Sequence, residues 1–436
     1  MKPSLGPYVF TPIFLLLLTL GAGCGRKVPA TADSWPQFRG PTGQGHASAA
    51  DLPLTWSETD NVKWKTPLPG KAWSSPVVLG DQVWVTDATE DGRDLSAVCL
   101  DRATGKIVHQ LKLFHVEKPQ YADKFNSYGS PTPVIEPGRV YVTFGSPGTA
   151  CLDTKTGKVL WQRTDFVCNH WRGAGSSPTI WRNLLIMHFD GADQQYVVAL
   201  DKATGQTVWK TDRSIDFQDL TPEGKPIRDG DFRKGFATPL VIEHEGKPVL
   251  ISTASKATYA YDPATGKELW RIEDRRHHSG SVTPVAGHGL VYTTTGLAKG
   301  DLLAVKLGGS GVLAESAIAW RATRNVPNRP SPVLVGDLLF MVHQDSGVAT
   351  CLDAKTGAEI WSERLPVTGH HSVSPTHAEG RLYFFSETGQ TAVVAAAREF
   401  KVLGTNKLDA GFMASPAVAG QALFVRTKAA VYRIEK

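Results

Sequence analysis

Cysteine is scarce in this chain: five in 436 residues, with no Cys-x-x-Cys, no Cys-x-x-Cys-His and no two adjacent. Such spacing signals neither a thiol redox pair nor an attached haem. Cys99, Cys151 and Cys351 each precede Leu-Asp at equivalent places of a repeat, where other copies carry Ala199 or Ala260. They read as small core residues too far apart to bridge, and Cys168 has no evident partner. Charge of one sign is scarce too, since 47 Lys+Arg against 42 Asp+Glu leaves +5. That excess is too mild to call for a nucleic acid. No helical pattern follows Gly40, Gly43 and Gly45, so this glycine cluster marks turns and not a phosphate loop.

What the chain has is punctuation. Eight Ser-Pro or Thr-Pro dipeptides each open an apolar run: Ser75-Pro76, Thr132-Pro133, Ser177-Pro178, Thr238-Pro239, Thr283-Pro284, Ser331-Pro332, Ser374-Pro375 and Ser415-Pro416. Their prolines are 57, 45, 61, 45, 48, 43 and 41 residues apart, the period of a four-stranded propeller blade. The expected fold is all-β, an eight-bladed β-propeller of four-stranded antiparallel blades, and one domain is the better division of this length.

One blade is readable from Ser331 onward. A strand runs to Val335, Gly336-Asp337 turns it, Leu338 to His343 returns, and Val348 to Leu352 leads into Asp353-Ala354-Lys355-Thr356-Gly357 before a fourth strand with Trp361. In D-x-x-T-G the carboxylate accepts turn amides and glycine supplies a positive φ. The Asp, Gly, Trp spacing recurs at Asp153, Gly157, Trp161, at Asp201, Gly205, Trp209 and at Asp262, Gly266, Trp270, while the first blade carries His109 in the Trp place. Each Trp is expected to pack between blades. The last blade has three strands only, and Val62 to Thr66 resembles the missing fourth, so the N-terminal strand closes the ring by pairing with the last blade.

At the N-terminus, Lys2, a mostly apolar stretch from Tyr8 to Ala22 and Leu20-Gly21-Ala22-Gly23-Cys24 read as a signal peptide over 1–23 with a lipobox-like end. Cys24 is the expected lipidation site, 24–34 a tether, 35–61 a cap crossing the outside or one face, and 62–436 the propeller. The expected location is exported, as a periplasmic or outer-membrane-anchored lipoprotein.

The repeats LDTKTGKVLW and LDKATGQTVW resemble those of the pyrroloquinoline quinone (PQQ)-like propeller superfamily, which includes quinoprotein alcohol dehydrogenases and the assembly lipoprotein BamB. WPQFRGPTGQG, SYGSPTPV, GSSPTI and GFMASPAVAG are similar to segments of exported bacterial PQQ-binding-like repeat proteins. The resemblance spans Trp35 to Lys436 and implies the fold; functions are grafted onto such folds separately. It also implies, for the dehydrogenases, a quinone held against adjacent cysteines with Ca²⁺ beside a catalytic Asp. This chain has no adjacent cysteines, and Asp190, Asp193 and Asp219 are loop acids that match no such position, so no catalytic, cofactor or metal residue is carried over.

Segments just before each Ser/Thr-Pro are expected to meet at one mouth of the channel. They bring Lys71, Trp73, Asn126, Tyr128, His170, Trp171, Arg172, Arg233, Lys234, Arg276, His277, His278, Asn328, Arg329, His370, His371, Phe412 and Met413. Cations and aromatics recur, which suits an anionic, planar or carbohydrate-like ligand; PQQ answers that description, as do other metabolites and peptides. The candidate ring is Lys71, Trp73, His170, Arg172, Lys234, His278, Arg329 and His371, against the alternative of plain solvated loops. Adjacent histidines on a strand point to opposite faces, which argues against a metal site. Inserts at Phe114–Asn126 and Ser214–Lys234 lie over a face as decoration, lid or docking surface. Two functions follow: a non-enzymatic envelope scaffold that binds a protein partner, as BamB-like proteins imply, or a PQQ-dependent dehydrogenase of alcohols or sugars using Ca²⁺.

Overall fold

Short strands broken by Gly-Asp and Asp-x-x-Thr-Gly turns fold back on themselves into eight sheets, one for each Ser/Thr-Pro dipeptide. The computed structural model describes residue 1 and residues 33–48, 51–297 and 300–436; the signal segment, Cys24 and the tether up to residue 32 lie outside the described residues. Blade six has the order read from sequence, Val333–Val335, Leu338–Val342, Val348–Asp353 and Glu359–Arg364, all antiparallel. Blade eight is Ala417–Ala419, Ala422–Arg426 and Ala430–Ile434, completed by Val62–Pro67. The first and last parts of the chain thus share one sheet, and the ring has no open edge between blades. Among the described residues no helix is long and apolar enough to cross a membrane.

The dipeptides do more than start strands. The backbone N–H of Ser75 donates to Thr132 Oγ1 at 2.9 Å, Thr132 to Ser177 Oγ at 2.9 Å, Ser177 to Thr238 Oγ1 at 3.0 Å and Thr238 to Thr283 Oγ1 at 3.4 Å. Thr283, Ser331 and Ser374 continue the series to Ser331, Ser374 and Ser415 at 3.0, 3.0 and 3.1 Å. A hydroxyl is needed because an inner-strand amide at a blade junction has no ladder partner and would otherwise be buried unpaired. Proline follows because its own missing N–H costs nothing there.

At the other end of each blade the Trp and the Gly of the motif meet across a junction. The Trp161 ring would lie 2.7 Å from a Cβ at Gly205, the Trp320 ring 2.6 Å from one at Gly357 and the Trp209 ring closer still to one at Gly266, at φ of +73°, +74° and +71°. The indole N–H of each donates into the same turn, to Lys202, Ala354 and Pro263 carbonyls at 3.0, 2.9 and 3.1 Å. Glycine is therefore fixed twice, by backbone and by the neighbouring ring. His109 of blade one stands more loosely against Gly157, its Nδ1 3.2 Å from the place of a Cβ there. The cores lie between blades: Ile186 and Val197 of blade three pack with Leu250 and Tyr259 of blade four. Cys99, Cys151, Cys168 and Cys351 are buried and free.

Antiparallel order gives the ring two unlike faces. The turn face carries the first hairpin and the D-x-x-T-G hairpin of each blade. The mouth face carries the second hairpin and the connection to the next blade.

The segment expected as a cap over the outside or one face instead enters the channel from the turn face. Trp35, fully buried, pairs with Val78 of blade one through two 2.8 Å bonds, and Pro36 O accepts from Ile135 of blade two at 2.8 Å. Gln44 Oε1 accepts from Ala286 of blade five, and His46–Ala47 pair in parallel with His377–Ala378 of blade seven. Arg39, 2% exposed, donates to the carbonyls of Ser331 at 3.1 Å, Pro332 at 2.5 Å and Gln44 at 2.9 Å, with no carboxylate paired to it among the described residues. Burial alone pushes its guanidinium down to about 9. The chain then leaves past Glu379, whose carboxylate accepts from the Leu52 amide at 3.0 Å, and runs on to the closing strand. The channel is plugged from the turn face up to the level of the hydroxyl bonds.

Candidate functional site

With one end of the channel filled, the remaining concave surface is the mouth, and its loops interlock. In the blade 1–2 connection, Gln120 Nε2 donates to Cys168 O at 3.0 Å and Gln120 Oε1 accepts from the His170 amide at 2.9 Å. Asn126 Nδ2 donates to Arg172 O at 2.9 Å, and Asp123 Oδ2 takes Arg172 Nη1 at 2.6 Å. From the same connection Phe125 reaches across the ring to the blade 5–6 connection, where the Arg329 guanidinium sits 5.3 Å from its ring centre. The 114–126 insert therefore crosses the mouth.

The structure brings part of the expected ring together. Arg172 lies 3.9 Å from Asp231, and Lys234, 1% exposed, contacts the same carboxylate and donates to Asp231 O at 2.8 Å. Burial and Arg172 push the Lys234 ammonium down to about 8. His278 packs its ring 4.3 Å from that of Phe232, and burial first, then Lys234, lower it to about 4. Arg329 reaches Asp345 at 3.1 Å and Glu387 at 3.8 Å. His371 is fully buried and donates Nδ1–H to Phe385 O at 3.1 Å, which leaves Nε2 unpartnered. His170 Nε2 accepts from the Ser146 amide at 3.0 Å; burial lowers both of these histidines to about 4. Lys71 stands by Glu90 at 3.7 Å, and the Trp73 amide donates to Ser127 Oγ at 3.1 Å.

The sequence reading missed the acids. Asp123, Asp231, Asp345 and Glu387 each meet one of the ring cations, and Arg233 likewise takes Asp219 in a two-pronged pair at 2.5 Å and 3.1 Å. Asp231 stands three residues before Lys234, a spacing that offered the one local signal. Further pairs lie deeper. Arg213 and Asp190, 1% and 2% exposed, pair at 2.9 and 2.7 Å, with Arg213 Nη1 also on Ser252 Oγ and Tyr261 Oη. Asp274, His277 and Asp301 bring ligand atoms within 4.8 Å of one another.

Neither a quinone nor its calcium fits these residues. A tricarboxylate needs free cations, and Arg172, Lys234 and Arg329 already meet carboxylates that would repel it. The enclosed cavity beside the axis, lined by His170, His188 and Asp190, measures about 10 Å³, room for about one water. The Asp274 group is already neutralised, because Arg321 Nη1 donates to Asp274 at 3.2 Å and to Asp301 at 2.6 Å while Arg276 Nη2 meets Asp301 at 2.8 Å. A larger groove of about 430 Å³ opens beside the mouth between blades six and seven, lined by Asp345, Ser346, Arg364 to Gly369 and His370.

Among solved structures, BamB from Moraxella catarrhalis shares the fold at 12% identity and a TM-score of 0.56, over 85% of this chain and 99% of that one. Quinohemoprotein alcohol dehydrogenase from Comamonas testosteroni does so at 12% and 0.66, over 93% and 81%. A europium-containing methanol dehydrogenase gives 13% and 0.59, over 91% and 90%. No curated protein matches the sequence. The family described as outer membrane protein assembly factor BamB matches residues 47–165 and 193–436, most of the ring that the geometry defines, and the chain belongs to that family.

Proposed function

We propose that this propeller is a non-enzymatic binding or assembly scaffold of the cell envelope, held to a membrane through an acylated Cys24 and docking a protein partner on its mouth face. The observation that carries this reading is the division of labour among the mouth residues. Their cations are spent on acids of the same chain, whereas Tyr121, Phe125, Val167, Leu220, Ile227 and Leu297 stand 40–65% exposed along the interlocked loops of the same face. Scattered apolar anchors within a polar surround suit a protein partner better than an anionic cofactor. Membership of the BamB family supports it.

The test has two arms. Residues 33–436 titrated with PQQ, with and without Ca²⁺, are expected to give no saturable heat; micromolar binding that Arg172→Ala and Arg329→Ala weaken would turn the reading toward a quinoprotein. In cells that carry the gene, replacing Tyr121, Phe125, Leu220 and Ile227 together by Ser is expected to lower the amount of folded outer-membrane β-barrel protein, read by heat-modifiable gel mobility. Unchanged levels with normal amounts of the variant would sink the scaffold role.

A further inference from the structure

We infer that the anchored chain turns its D-x-x-T-G face to the bilayer and holds its mouth away from it, an orientation that rests on the reading of Cys24 as the lipid anchor. The reason is the place where the tether joins the ring. Arg102, inside the blade-one D-x-x-T-G turn, donates Nη1 to Asp33 O at 3.3 Å and to Gly80 O at 3.2 Å. Its Nη2 donates to Ala419 O at 3.3 Å and contacts the Asp33 carboxylate. Gly80 and Ala419 both end inner strands, so Asp33 is fixed on the turn face close to the axis. Two residues later Trp35 is fully buried and doubly bonded to Val78, so the attachment point has no freedom to move round the molecule.

Asp33 stands nine positions after Cys24. Fully stretched, that length spans about 30 Å. To bring the mouth to the membrane, the tether would have to pass outward under a four-stranded blade and then up its side. Strands spaced by about 4.8 Å place the rim roughly 15 Å from the inner strand. The second strand of blade one, Gln82–Ala88, has seven residues and adds about 23 Å of height. The path is close to 40 Å before any loop is crossed, beyond the reach of about 30 Å. The mouth therefore cannot rest on the membrane that holds Cys24, and that membrane lies on the turn-face side of the ring. The loops bearing Tyr121 and Phe125 project into the aqueous space, where a soluble domain of a partner meets them without competing with lipid.

Energy transfer tests this on the full, lipidated chain in phosphatidylethanolamine/phosphatidylglycerol vesicles carrying an acceptor on a headgroup. The four cysteines of the fold are buried, so a donor dye goes to a single introduced site, Lys155→Cys on the turn face or Tyr121→Cys at the mouth. At least twofold more transfer from position 155 than from 121 is expected, and a tether lengthened by some thirty Gly/Ser residues should erase the difference. Equal or reversed transfer on a chain whose mass shows an acylated Cys24 overturns the orientation alone. A difference that survives the long tether overturns the argument from reach. An unmodified Cys24 in the mature chain overturns the anchor and the orientation together.

Discussion

The two faces of the ring are made by the same strands and held by different means. On the turn face one device repeats: Asp153 Oδ1 accepts from the Thr156 amide and hydroxyl at 2.7 Å each, Asp353 does the same for Thr356 at 3.0 Å each, and a ring from the preceding blade stands against the glycine, His109 at Gly157 and Trp320 at Gly357. On the mouth face no two connections are alike, and loops are joined by ion pairs between different blades, Arg172 to Asp123 and Arg329 to Glu387 among them. The hydroxyl series beneath the mouth explains how both regimes coexist. Because blade-to-blade registration is set at Ser/Thr-Pro, the connections above it are free to lengthen and change without opening the ring.

Several measurements would break or sharpen that contrast. Acid should have the largest effect, since His46 in the plug and His170, His278 and His371 at the mouth are all lowered to about 4 and are neutral when folded. The unfolded chain binds protons from about pH 6.5 downward. The histidine share of stability is therefore full above that value, falls as pH drops toward 4 and levels off below it. Thermal midpoints across pH 7 to 4 should show this fall, with a shallower slope in His371→Gln; a flat profile contradicts it.

Breaking the buried pair with Arg213→Ala leaves Asp190 uncompensated and should cost about 4 kcal/mol in chemical denaturation. Arg39→Ala removes the three carbonyl bonds of the plug and should cost about 3 kcal/mol, with proteolysis inside 35–47 as a second readout. Paired glycine changes compare the faces directly. Gly205→Ala meets both a positive φ and the Trp161 ring and should cost about 2 kcal/mol, while Gly224→Ala in the mouth insert, where a Cβ meets nothing within 4 Å, should cost about 1 kcal/mol. Phe125→Ala, at a residue 51% exposed, should move stability by less than about 0.5 kcal/mol while weakening partner binding.

The ring was legible in the sequence because its signals are local and repeated. Ser/Thr-Pro and D-x-x-T-G each act within a few residues of themselves, and Val62–Pro67 betrayed its place by resembling a fourth strand with no preceding three. The plug was not legible. Trp35 to Ala47 carries no period, and its partners are mostly backbone atoms of blades that lie up to 331 residues away, as for His46 and His377. The candidate ring was half legible: its cations stand at fixed offsets before each dipeptide, but an acid such as Asp123, 49 residues from Arg172, becomes its neighbour only after the blades have closed. The role of the Ser/Thr hydroxyls was hidden for the same reason, since each accepts from the junction before it.

The sheet shared by Val62–Pro67 and Ala430–Ile434 also has an order in time. A chain that emerges end first, from the ribosome or through a translocation pore, exposes the outer strand of blade eight before any other blade exists and supplies its partners last. Seven blades can stand formed beside a gap that bares the apolar faces of blades one and seven, Val83 and Val85 on one side and Tyr383 and Phe385 on the other, and the gap persists until residue 434 arrives. A nonsense or frameshift lesion near the C-terminus should thus be as damaging as one near the start, leaving a long-lived sticky ring in place of a slightly shortened protein.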